Sequence, residues 1–79
     1  MKTVHIEYFA VLRECAGSDR EAVSTAAETP QQLFAELAER YEFPTLQSVK
    51  VAINEEFSDM QASLSDGDTV VFIPPVAGG

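Results

Sequence analysis

Apolar and polar residues alternate from Thr3 to Phe9, with Val4, Ile6 and Tyr8 on one side and Thr3, His5 and Glu7 on the other. A period of two is the mark of a strand with one buried face. The alternation breaks at Ala10. Ala10 to Gly17, which holds Arg13-Glu14, predicts a short helical turn ending in Gly17-Ser18-Asp19. Arg20 to Thr25 is a weaker strand, placed to return as the second arm of a hairpin. The period then changes. Thr29 is a good N-cap, Pro30 sits at the favoured first helical position, and Gln32 completes a capping box. Leu33, Phe34, Leu37, Ala38 and Tyr41 recur at helical spacing and predict the buried stripe. Gln32, Glu36, Glu39 and Arg40 are left outward, with Glu36 and Arg40 spaced as an i,i+4 ion pair. Phe43-Pro44 ends the helix at or just after Tyr41.

Val49, Val51 and Ile53 alternate with Lys50, Ala52 and Asn54, which predicts a third strand. Asn54-Glu55-Glu56 makes a turn, and Phe57 begins a short fourth strand. Leu64-Ser65-Asp66-Gly67-Asp68 is a strong turn, with Gly67 supplying the positive φ. It launches a last strand, Thr69 to Ile73, whose consecutive apolar positions are those of a strand central in its sheet. This order predicts an α+β fold: a mixed sheet with one main helix packed across one face, and the final strand beside the first. One helix covers one face only. Val71 and Ile73, together with Phe9, therefore form a second row that is a candidate docking patch for another protein.

The chain has 79 residues, 46% of them hydrophobic, which predicts one domain with a small core. Its lone Cys15 excludes an internal disulfide and points to a reducing compartment. No amino-terminal h-region and no run of 18 apolar residues is present, so a cytoplasmic chain with no membrane partner is expected. Five basic residues stand against thirteen acidic ones, a formal charge of −8. That sign excludes nucleic-acid binding and steers the surface toward basic partners, besides keeping it soluble.

Residues 74–79 predict a flexible tail. Pro74-Pro75 breaks the last strand and leads the chain away from its sheet. Fully extended, Val76-Ala77-Gly78-Gly79 reaches about 13 Å. Gly78 and Gly79 lack a Cβ and so can enter a channel too narrow for other residues. The plain alternative is a frayed terminus. The strand and prolines ahead of the glycines favour a terminus that is inserted into a partner and modified there.

Tyr8-Phe9-Ala10, Leu12-Arg13-Glu14, Gly17, Val51-Ala52-Ile53-Asn54, Leu64-Ser65-Asp66-Gly67-Asp68-Thr69-Val70 and Pro74-Pro75-Val76-Ala77-Gly78-Gly79 resemble, in order and spacing, the small subunit of molybdopterin synthase. The resemblance runs over nearly the whole chain. The Gly-Gly end is shared with ubiquitin-like sulfur carriers in general, and Ser18 to Ala27 carries no signal of the family. What the resemblance implies is a ubiquitin-like β-grasp domain that is not catalytic alone. An adenylating enzyme would use ATP to activate the Gly79 carboxylate, with no cofactor bound by the carrier itself. Sulfur transfer would then leave a thiocarboxylate. The tail, Pro75 to Gly79, would enter the large subunit, with Phe9, Val71 and Ile73 on the docking surface. There the sulfur would go to cyclic pyranopterin monophosphate to form the molybdopterin dithiolene. A carrier for a thiamine-type pathway and a ubiquitin-like protein modifier are the alternatives, and a plain interaction module is a further one.

Other residues have plainer readings. Cys15 near a turn is packing before it is a sulfur relay. His5 lacks partners for a metal. Asp66 and Asp68 flank Gly67 as turn formers rather than as a carboxylate pair. Arg13 and Glu14 either meet a partner or solvate a loop.

Overall fold

The first alternation is realised as strand β1, Lys2–Tyr8, in a computed structural model that describes residues 1–43 and 48–74. Val4, Ile6 and Tyr8 are buried. The strand stops one residue before its pattern does, because Phe9 becomes the N-cap of helix α1, Ala10–Ala16. Gly17 closes that helix in the left-handed region at φ 78°, donating its N–H to Arg13 O at 2.9 Å. Strand β2, Arg20–Thr25, returns antiparallel to β1, pairing Val23 with Val4 and Arg20 with Glu7.

Helix α2 spans Pro30–Tyr41. Thr29 Oγ1 accepts from the Gln32 N–H at 3.2 Å, while Gln32 Oε1 accepts from the Glu28 N–H at 2.8 Å. The box therefore closes on the residue before the cap instead of on the cap itself. Leu33 and Leu37 are fully buried, with Phe34, Ala38 and Tyr41 partly so. Glu36 does not face outward toward Arg40. Its carboxylate turns to the sheet and accepts from Thr25 Oγ1 at 2.7 Å, satisfying a hydroxyl on a wholly buried residue. The helix ends with Glu42 at φ 54°, and the Phe43 N–H reaches back to Ala38 O at 3.1 Å.

Strands β3 (Lys50–Ile53), β4 (Glu56–Ser58) and β5 (Thr69–Ile73) complete a five-stranded sheet of order β2-β1-β5-β3-β4. β5 is central, parallel to β1 and antiparallel to β3. Asn54 and Glu55 link β3 to β4 at φ 52° and 71°, the signs of a type I′ hairpin turn. Both helices contribute to a core on one side of the sheet, where Leu12, Leu33 and Leu37 join Val4, Ile6, Val51, Val70 and Phe72. The Phe34 ring lies 5.0 Å from that of Phe72 in an edge-on arrangement.

At one end of this core, Glu21 Oε2 accepts from Tyr8 Oη at 2.6 Å and from Tyr41 Oη at 2.5 Å. One carboxylate so ties β1, β2 and α2. Burial above all, then the bond to Glu21 and its charge, raise the Tyr8 phenol well above its ordinary range. The bond to Glu21 is the main cause of the rise at Tyr41. A raised phenol pKa means that the unfolded chain ionises first. The stability involved is complete below about pH 10 and is lost as pH climbs beyond it. Denaturant titrations from about pH 8 to 11 should show wild type weakening along that limb, and Tyr8→Phe/Tyr41→Phe weakening less. Equal slopes would contradict the linkage. Glu21→Ala strands the buried Tyr8 hydroxyl and should cost about 1–3 kcal/mol, read as a lower Tm.

Candidate functional site

The register of β5 decides what the uncovered face presents. Val70 and Phe72 point into the core, so Thr69, Val71 and Ile73 point the other way. Val71 lies between Glu7 of β1 and Ala52 of β3, and Ala52 pairs in turn with Phe57 of β4. Ile73 is opposite Lys50, and Thr69 is beside His5. The result is an apolar row, Val71-Ala52-Phe57, with Ile73 adjoining it. Val71, Ile73 and Ala52 are half-buried, whereas Phe57 is 78% exposed.

Of the residues proposed from sequence for docking, Val71 and Ile73 share this face. Phe9 is 48% exposed, and its extended backbone (φ −118°, ψ 149°) continues the β1 alternation onto the same side. Phe57 was not among the candidates. Its signal lay in the two-residue turn at Asn54-Glu55, which sets Phe57 against Ala52 and so fixes its face.

Pro74 follows the strand and is buried. Pro75, Val76, Ala77, Gly78 and Gly79, proposed as the modified and inserted segment, lie outside the described residues.

Asp66 and Asp68 are fasteners. Asp66 Oδ1 accepts from the Thr3 N–H at 2.7 Å, and Gly67, at φ 88°, donates its N–H to Thr3 O at 2.7 Å. Asp68 accepts from the Ser65 N–H at 2.8 Å and from Asn54 Nδ2 at 3.0 Å, and its own carbonyl takes the His5 N–H at 2.8 Å. One turn thereby joins the start of β1, the β3–β4 turn and the root of β5. Arg13 lies 3.7 Å from Asp19 in an exposed pair of little energetic weight. Cys15 is half-buried on α1, and His5 is exposed on the open face. Among the described residues no cluster of three or more His, Cys, Asp or Glu side chains could hold a metal ion, and no helix is long and apolar enough to cross a membrane.

With that geometry in view, comparison with known proteins defines the class. Residues 6–79 match the ThiS family, and the chain belongs to it. A curated relative from Mycobacterium tuberculosis, the molybdopterin synthase sulfur carrier subunit, is 38% identical over the full length of both chains. Among solved structures, a putative molybdopterin converting factor subunit 1 from Pyrococcus furiosus superposes with a TM-score of 0.81 at 28% identity, covering 96% of this chain and all of that one. A Helicobacter pylori protein, solved as a complex of subunits 1 and 2 of molybdopterin-converting factor, gives 0.62 at 25% identity, covering 98% and 99%. The mixed five-stranded sheet with two helices is the ubiquitin-like β-grasp of these neighbours.

The two faces of the sheet should respond differently to substitution. Phe57→Ser on the open face should change stability by less than about 0.5 kcal/mol. Phe72→Ala, two strands away and in the core, should cost about 3–5 kcal/mol. Thermal melts of both variants check this, and comparable losses would mean that the open face is packed.

Proposed function

We propose that this chain is a sulfur carrier and the small subunit of a molybdopterin synthase. The observation that carries the reading is the end-to-end match to molybdopterin synthase sulfur carrier subunits, in which the family match runs through Gly79. The open face of the sheet is the surface that seats the large subunit. The Helicobacter pylori complex of two converting-factor subunits supports such an assembly by likeness.

The chemistry belongs to the Gly79 carboxylate. A carboxylate is a poor electrophile, because its charge repels nucleophiles and its oxygen leaves badly. In this reading an adenylating enzyme joins it to AMP from ATP, releasing pyrophosphate. A sulfide-equivalent nucleophile adds to the acyl carbon, the carbon–oxygen bond to AMP breaks, and AMP departs with its electron pair. A thiocarboxylate remains, with charge on a polarizable sulfur that attacks an activated carbon of cyclic pyranopterin monophosphate. Dividing sulfur insertion in this way turns one hard step into easier ones. The partner supplies acid–base groups and charge stabilisation. The carrier contributes reach, slenderness and the acyl group, and binds no cofactor. The cytosol, where ATP and reduced thiols are available, is the compartment this reading requires.

Incubation with the adenylating enzyme, ATP and a sulfur donor should raise the intact mass by about 16 Da, as sulfur replaces oxygen. Deletion of Gly79 should abolish the gain without lowering Tm, because a terminal residue past the last strand contributes little packing. No mass gain under competent conditions would remove the carrier reading, and an isopeptide ladder on lysines would replace it with a protein modifier.

A further inference from the structure

The chain has three amines, the α-amine of Met1 and the side chains of Lys2 and Lys50, and the sheet holds them at very different distances from the end of β5. Lys50 opens β3 and pairs with Ile73, the last residue of β5. Antiparallel partners have Cα atoms about 5 Å apart, so an amine on a lysine side chain there lies within roughly 12 Å of the Ile73 backbone. Its neighbour Val51 is buried, which sets Lys50 beside Ile73 on the open face, where it is exposed. Asp59 lines the same recess and is itself exposed. An ion pair between two exposed groups is weak and leaves the amine available.

The other two amines are at the opposite end of the sheet. β1 runs parallel to β5 with Tyr8 beside Phe72, so Lys2 lies about 23 Å back along the strands from the level of Ile73. Its Nζ already donates to Ala27 O at 2.8 Å, and Met1 is one residue farther away. The six residues after Ile73 have a contour of about 20 Å to Gly79. That length meets Lys50 with slack, even where Pro74-Pro75 directs part of it away from the sheet. It falls short of the Lys2 backbone at full extension.

We propose that Lys50 is the internal acceptor of the activated Gly79 acyl group, a modification site at which the carrier joins its own terminus through an isopeptide bond. This rests on the adenylation reading above. The neutral Lys50 amine adds to the acyl carbon and the carbon–oxygen bond to AMP breaks. AMP departs with its electron pair, and the nitrogen gives one proton to water. The product is one water lighter than the free acid and has no terminal carboxyl group left to carry sulfur. A thiocarboxylate is anionic and resists the same attack, so prompt sulfur transfer protects the carrier. A short tether supplies the amine at an effective concentration of about 1 mM, far above that of other copies at about 10 µM, so the ring outcompetes a ladder.

The test is intact-mass analysis of the full chain incubated with the adenylating enzyme and ATP, without a sulfur donor. A species lighter by about 18 Da should accumulate, and a sulfur donor should divert it to the heavier thiocarboxylate. It should be absent without ATP, which separates it from spontaneous water loss at Asp66-Gly67. Lys50 is the only basic residue beyond Arg40, so trypsin should leave Tyr41 to Gly79 of the ring as one fragment where the free chain gives two. Lys50→Arg should lower the yield about tenfold or more, while Lys2→Arg leaves it unchanged. Hydroxylamine in a parallel sample traps the adenylate as a hydroxamate about 15 Da heavier, and Lys50→Arg should form it as wild type does. If the hydroxamate forms but no lighter species appears, or the lighter species survives in Lys50→Arg, the Lys50 assignment is overturned and the carrier reading stands. If neither the hydroxamate nor the lighter species forms, adenylation itself is wrong and the proposal falls with it.

Discussion

β5 enters the sheet from a turn that is bonded to its surroundings on both sides. Asp66 and Gly67 hold the two polar groups of the Thr3 backbone, while Asp68 and Thr69 exchange bonds with Asn54. A strand's faces alternate residue by residue, so a slip of one position would expose Val70 and Phe72 and bury Thr69, Val71 and Ile73. The Ser65-to-Asp68 turn blocks that slip at the point where the strand begins. Everything that the open face presents follows from this one register. So does the residue at which the chain leaves the sheet, Pro74.

The two sides of the sheet then have separate duties. Helices α1 and α2 cover one side and bury the apolar stripe that makes so small a domain stable. The Tyr8–Glu21–Tyr41 cluster closes one end of that core. Among the described residues the other side carries no helix, and it retains the apolar row Val71-Ala52-Phe57. Under the proposed function, such a scaffold would fix where a partner sits and where the terminal segment departs, as a carried acyl group requires.

Much of this was legible in the sequence because the informative residues act locally. The period-two run at Val4-Ile6-Tyr8, the Thr29-Pro30 start of α2 and the Ser65-to-Asp68 turn each depend on neighbours a few positions away. Central placement of β5 was legible too, from its unbroken apolar run. What escaped depended on register between distant segments. Phe57 reaches the open face only through its pairing with Ala52, and Glu36 abandons Arg40 for Thr25 because the sheet brings a buried hydroxyl beneath it. The end of β1 at Tyr8 rather than Phe9 reflects competition, since the same residue that completes the alternation also caps α1. The chemistry proposed for Gly79 rests on its company with Pro74-Pro75 and on the family resemblance, not on any folded geometry.

The central claim is that the sulfur travels on the carrier's own terminal acyl group. The most direct measurement starts from chain bearing a labelled sulfur in a Gly79 thiocarboxylate, mixed with the large subunit and cyclic pyranopterin monophosphate without ATP or the adenylating enzyme. The account predicts that label appears in both sulfur positions of the dithiolene and that the carrier returns as a carboxylate, lighter by about 16 Da. Label that stays on the carrier, or that leaves it with no dithiolene formed, would contradict the account.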